Sequence, residues 1–352
     1  MAWRDPLDWL DRVDPGLHRR IKGLRLVTAY GIAALMGAVY EQSHSLAGGA
    51  SLSFLAGGIA LWASVSEGRS NRADSSRDLV LLCLGGLLGA AFTAGLTPWL
   101  ARVGRGVPEL TLVAGAFLLG YARRFGPTAA GCGSQFFIGQ LLAYGLGLGS
   151  ADLPLVTVAG LMAAVASLVP RLLSGPAEKP VPPAPARNVQ GYGPMSPEFV
   201  MGLQAGAGAL LIVGLNVAFG LPESVWAMAA CTFVVASTAA DTIARIRMRT
   251  IGTAIGVPLG LAFLPVAEHA PLVVWAAAAI AMIVYAIAMP ARYDIASGAF
   301  AFTLVVTLAA SGEHSVALLS ARLWETLVGG ALGLAAASWL FPLRERPPPG
   351  AG

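Results

Sequence analysis

From Leu24 onward the chain alternates long apolar runs with short polar breaks, and no run carries the polar stripe of a helix packed at a watery surface. The lengths suit a hydrocarbon core about 30 Å thick, which a helix crosses in about 20 residues. Twelve candidate spans follow: Leu24–Tyr40, Leu46–Ser66, Leu79–Leu96, Val107–Tyr121, Pro127–Gly149, Leu153–Pro170, Phe199–Phe219, Val225–Ala240, Ile251–Val266, Pro271–Met289, Ile295–Ala310 and Val316–Phe341. Several are short for a straight crossing. Between the sixth and seventh lies "SGPAEKPVPPAPARNVQGYGPMSPE", whose prolines exclude a span and favour extended chain. The expected organisation is an amphipathic segment 1–23, a six-span block 24–173, a linker 174–198, a second six-span block 199–342 and a tail 343–352.

Composition agrees with an all-α integral membrane protein. The chain is 56% hydrophobic and 12% charged, against the roughly 25% charge of soluble domains. A net charge of +4 therefore does not point to nucleic acid. Basic residues mark the side of the membrane instead, because they accumulate in cytoplasmic loops. With the N-terminus inside, twenty of the 23 Lys and Arg fall at inner segments, among them Arg123, Arg124, Arg245, Arg247, Arg249 and Arg292. Only Arg102 and Arg105 fall outside, and Arg322 alone is left within the membrane. Both termini are thus expected in the cytoplasm, with the protein in a bacterial inner membrane. The N-terminal stretch lacks an apolar core followed by a cleavage site, so no signal peptide is expected. Cys83, Cys132 and Cys231 sit in apolar runs without CxxC spacing and read as reduced packing residues.

The two blocks resemble each other at an offset of roughly 170 residues. "LWASVSEGRSNRADSSRDLVLLCLGGLLG" and "VVASTAADTIARIRMRTIGTAIGVPLG" share the order span, polar inner segment, glycine-rich span, and "YARRFGP" matches "MPARYD". An even number of spans per block gives both copies the same orientation, so the expected repeat is parallel, with a path between the copies.

Arg322 and Glu325 stand out within "SARLWETLVGG". A charge at a helix centre costs on the order of 3 kcal/mol in lipid, so both should face protein or water, on the face shared by Gly329. Two readings of the pair stay open: mutual neutralisation, or a guanidinium fork for a substrate carboxylate beside a glutamate that exchanges protons. Arg245, Arg247 and Arg249, with Asp241, would form a basic inner vestibule, or simply set topology. Asp241 and Asp294 are expected in interfacial ion pairs with Arg245 and Arg292. Gly252, Gly256 and Gly329 recur at spacings that favour close helix packing, and Pro258 is a candidate kink or gate. His44, His269 and His314 lie singly in outer loops beside glutamates, a weak signal for metal or pH sensing. No nucleotide-binding, hydrolase or metalloprotease motif is present, so no enzyme activity, cofactor or metal is expected.

The second block resembles the fusaric acid resistance family, which overlaps the aromatic acid exporters. The resemblance rests on "ESVWAMAACTFVVAST" with Trp226, on Arg249, Gly252 and Thr253, on Tyr293 in "PARYD", and on Arg322, Thr326 and Gly329 in "ARLWETLVGGALG". It covers about 120 residues, and the first block matches only loosely. It implies inner-membrane efflux of aromatic carboxylates or similar toxic weak acids, driven by protons, with a membrane architecture similar to plant aluminium-activated malate transporters. Many members carry large soluble regions after each block, where this chain has a 25-residue linker and a short tail.

The expected substrate contacts are Arg322, Glu325, Thr326, Trp226 and Tyr293. The expected partners are a small organic anion, protons and the bilayer, with no nucleic acid; a homo-oligomer and a periplasmic adaptor stay open. A passive anion channel and a non-transporting membrane scaffold are the alternatives. Flux without a proton gradient selects the channel, and an Arg322→Met variant with unchanged flux selects the scaffold.

Overall fold

The computed structural model describes residues 14, 18–44, 52–68, 71–104, 106–174, 189–190, 194–221, 224–236, 238–289, 291–310 and 315–345. Among them are twelve helices of eleven residues or more, one for each expected span. In chain order they are α1 (His18–Ser43), α2 (Leu52–Ser66), α3 (Arg72–Ala101), α4 (Leu110–Tyr121), α5 (Pro127–Gly145) and α6 (Leu153–Leu173), then α7 (Pro197–Phe219), α8 (Ser224–Val234), α9 (Ala239–Ala262), α10 (Pro271–Ala288), α11 (Tyr293–Ala310) and α12 (Val316–Trp339). A six-residue helix, Leu264–His269, follows α9. Val189–Gln190 pairs antiparallel with Arg344–Glu345, which ties the linker to the end of the second block.

Six of these segments are long and apolar enough to cross a membrane on length and composition: α1, α3, α6 with its preceding turn, α7, α9 with the short helix after it, and α11. The helices α2, α8 and α10 are apolar but shorter. Leu35, Leu88, Leu161, Leu211, Ile255 and Ile280 lie exposed along these helices. Such a greasy exterior suits lipid and would aggregate in water. The chain is a multi-pass membrane protein.

Polar residues start the helices where the pattern alone put the boundaries elsewhere. The Asn71 side chain accepts from Ala73 N at 3.1 Å and opens α3 eight residues before the span expected at Leu79. The Glu41 carboxylate accepts from Leu52 N, and from Ser53 N at 3.1 Å and Ser53 Oγ at 3.0 Å, so it caps α2. The largest departure is at the eighth and ninth spans. Here α8 stops at Val234, and α9 starts at Ala239 behind a reciprocal cap. Asp241 N donates to Thr238 Oγ1 at 3.1 Å, while Thr238 Oγ1 donates to Asp241 Oδ2 at 3.0 Å. The hydroxyl satisfies the Asp241 amide, which otherwise lacks a partner at a helix start, and the carboxylate orients that hydroxyl. Arg245, Arg247 and Arg249 consequently lie on the first three turns of α9, not in a loop.

Packing follows small residues. In the first block α3 packs on α5 and α6, and α1 on α2 and α6; in the second, α9 packs on α11 and α12, and α7 on α8 and α12. A side chain at Gly85 would meet Cys132 O at 3.0 Å, and one at Gly89 would overlap Phe136 O, so α3 and α5 touch through backbone. Gly252 against Asp294 O and Gly256 against Gly298 O do the same for α9 and α11. The blocks meet along α4 on α7 and along α1 on α10. Leu112, Ala116, Phe137, Ile212, Ala227 and Met228 form one buried cluster across that seam.

Candidate functional site

The start of α12 is set by Ser315, whose Oγ accepts from Leu318 N at 3.2 Å. Two turns later come Arg322, 5% exposed, and Glu325, 0% exposed. Thr326 Oγ1 donates to Arg322 O at 2.7 Å, which binds the hydroxyl to its own helix. The guanidinium carbon of Arg322 lies 3.8 Å from the Trp226 ring centroid. The glycines make this stacking feasible. A side chain at Gly329 would collide with Ala227 O, and one at Gly333 would meet Cys231 O at 2.7 Å, so α12 lies backbone to backbone on α8 and carries Arg322 onto the ring. A guanidinium over an indole face is a favourable cation–π contact, strengthened by loss of water.

The structure thus brings Arg322 onto Trp226, with Glu325 and Thr326 on the next turn of α12. Tyr293 opens α11, and its hydroxyl accepts from Arg249 Nη1 at 3.3 Å. Arg245 and Arg247 are exposed, and Arg249 is half-buried. Across the seam Arg245 faces Arg123, in the turn between α4 and α5; burial, then Arg245, push the Arg123 guanidinium down to about 10. The expected interfacial pair of Arg292 with Asp294 is present, bidentate at 2.7 and 3.0 Å. Asp241 instead serves the cap of α9 described above. Pro258 faces outward, and α9 runs through it unbroken to Ala262.

Two polar clusters escape the sequence reading. One surrounds Glu67 at the end of α2: Arg25 Nη2 lies 3.8 Å from its Oε2, Lys22 Nζ donates to its backbone oxygen at 2.6 Å, and Arg171, 1% exposed, donates from Nε to Ser75 Oγ at 2.6 Å. Arg171 counts as a loop marker by position, although it is buried in the last turn of α6. The other is Glu109, in a 3-10 turn Val107–Glu109 that leads into α4. It is 0% exposed, and its Oε1 accepts from Tyr144 Oη at 2.8 Å, from Asn216 Nδ2 at 2.6 Å and from Ser224 Oγ. Counting carboxylates along with basic residues inside the fourth span would have found it.

The family model described as fusaric acid resistance protein-like matches residues 208–336. The match lies within the second block and marks it as similar to that family. Every residue singled out above for substrate contact, inner vestibule or gating lies inside the matched segment, whereas Glu109 and Tyr144 lie outside it. The match is consistent with transport, and no curated protein and no solved structure matches the chain.

Among the described residues, no group of three His, Cys, Asp or Glu is placed to hold a metal ion. His44 stacks on Tyr40 at 4.0 Å, His269 Nδ1 meets Pro265 O at 2.9 Å, and His314 lies outside the described residues. Cys83, Cys132 and Cys231 are free thiols. An apolar groove of about 630 Å³ lies between Val113 and Phe117 of α4 and Leu203 and Leu210 of α7, away from Arg322.

Proposed function

We propose that the protein exports aromatic carboxylates, or weak acids of similar chemistry, across the inner membrane in exchange for protons, with both termini in the cytoplasm. One observation carries the reading: the fusaric acid resistance-like segment buries a guanidinium on an indole face, Arg322 on Trp226. An aromatic acid needs those two partners. Its carboxylate takes the guanidinium fork, and its ring takes the place against Trp226. Glu325, one turn further along the same helix, is the proton carrier in this reading. Arg245, Arg247 and Arg249 raise the local concentration of anion at the inner mouth.

The proposed frame is a parallel repeat. Gly85 and Gly252, like Gly89 and Gly256, stand 167 positions apart and make the same backbone approach, α3 to α5 and α9 to α11. The seam supports it as well, because α4 on α7 and α1 on α10 exchange under the same correspondence. A two-fold axis along the membrane normal would generate both contacts at once.

The test is flux in proteoliposomes with a panel of aromatic and aliphatic acids and the proton gradient on or off. The reading expects gradient-dependent flux of aromatic acids that is lost in Arg322→Met and loses its pH dependence in Glu325→Gln. Burial of Arg322 and Glu325 favours a second reading, in which the pair only packs α12 on α8. Unchanged flux in Arg322→Met selects it.

A further inference from the structure

We propose that Glu109 is a proton-binding site that latches the first six helices to the second six when ionised and lets them part when protonated. The carboxylate sits where both blocks converge. Its Oε1 draws one donor from α5 (Tyr144), one from α7 (Asn216) and one from the start of α8 (Ser224), while its Oε2 makes no hydrogen bond among the described residues. The chain is brought there by Gly106, which has a left-handed φ of 79° and in which any side chain would meet Val217 Cγ2 at 2.8 Å.

The chemistry of the site is balanced. Three donors and the N-terminal ends of α4 and α8 favour the anion. Complete burial with no cation at ion-pair distance among the described residues favours the acid. A carboxylate so placed responds to a small change in conditions, unlike one held by a cation. The groups facing it are few: Tyr144 is the titratable one on α5, while α7 and α8 offer only Asn216 and Ser224. Just past the end of α3, which packs against the Val107–Glu109 turn, Arg102 lies over the Trp99 ring. The proton therefore goes to Glu109, taken from water at that end of the helices, and binds Oε2. The hydrogen bonds at Oε1 then lose their ionic character and about half their strength.

Ser224 and Trp226 share the first turn of α8. Glu109 holds the one, and Arg322 lies on the other. Release of Ser224 frees the turn that carries the indole, which links protonation at the seam to opening at Arg322. That last link rests on the transport reading; the latch itself does not.

Infrared difference spectra of the full chain in lipid nanodiscs, between acidic and alkaline pH, test the latch. A protonated-carboxyl band should appear on acidification and be absent in Glu109→Gln. Tyr144→Phe, which removes one donor to the anion, should move that titration to higher pH, and it keeps the test open should Glu109→Gln fail to fold. Spin labels at exposed Leu110 and Val217 should separate as the band appears, and stay separated in Glu109→Gln at all pH values. A band that never appears, or that persists in Glu109→Gln, overturns the latch, as does an unchanged label distance. Proton-driven flux without the band overturns the latch and leaves the transport reading; the band without flux does the reverse.

Discussion

The guanidinium carbon of Arg322 stands 3.8 Å above the Trp226 ring, and the two residues belong to helices joined through Gly329 and Gly333. Helix contact and stacking are one feature, since a longer separation of α8 and α12 would lift the guanidinium off the indole. Trp226→Leu is expected to lower stability by about 2 kcal/mol, the scale of a desolvated cation–π contact. Thermal unfolding in detergent measures it, and a loss below a few tenths of a kcal/mol would show the stacking to be incidental.

Glycine substitutions separate close contact from mere helix composition. Gly256→Ala puts a methyl group into Gly298 O and should destabilise by more than about 1 kcal/mol, as should Gly89→Ala against Phe136 O. Gly214→Ala, which meets nothing within 4 Å, should be neutral or slightly stabilising through helix propensity. Equal effects at all three positions would refute the backbone contacts.

Burial, and after it repulsion from Arg245 across the seam, push the Arg123 guanidinium down to about 10. A base whose folded value lies below its unfolded one weakens the fold while it is charged, which covers neutral pH. Arg245→Gln is therefore expected to raise stability slightly at low salt. The gain should shrink as salt screens the pair; melting temperatures at about 0.01 and 1 M salt read the difference.

Thr238→Ala removes the cap that starts α9 and is expected to cost about 1 kcal/mol. Hydrogen exchange should rise first in residues 239–242, with little change in α12. Exchange that rises evenly across the protein would assign Thr238 to the global fold instead.

Much of this protein is legible in the order of its residues. Apolar runs separated by polar breaks determine twelve helices, since backbone polar groups in hydrocarbon can be satisfied only within a helix or a closed barrel. Glycines at four-residue spacing foretell close helix contacts, and "TAAD" marks the true start of α9 at Thr238, because a threonine followed by an acid three residues later caps a helix. The oddity of Arg322 within an apolar run was likewise visible. Only the tertiary structure decided what it meets: the Trp226 that rests under it is 96 positions away, while the Tyr293 hydroxyl accepts from Arg249. Glu109 shows the same division. Its sequence surroundings are an ordinary glycine–proline turn, and its role comes from Tyr144, Asn216 and Ser224, which three separate helices deliver. Periodicity acts over a few turns of one helix, while the partners of a buried charge are chosen by how helices distant in the chain pack.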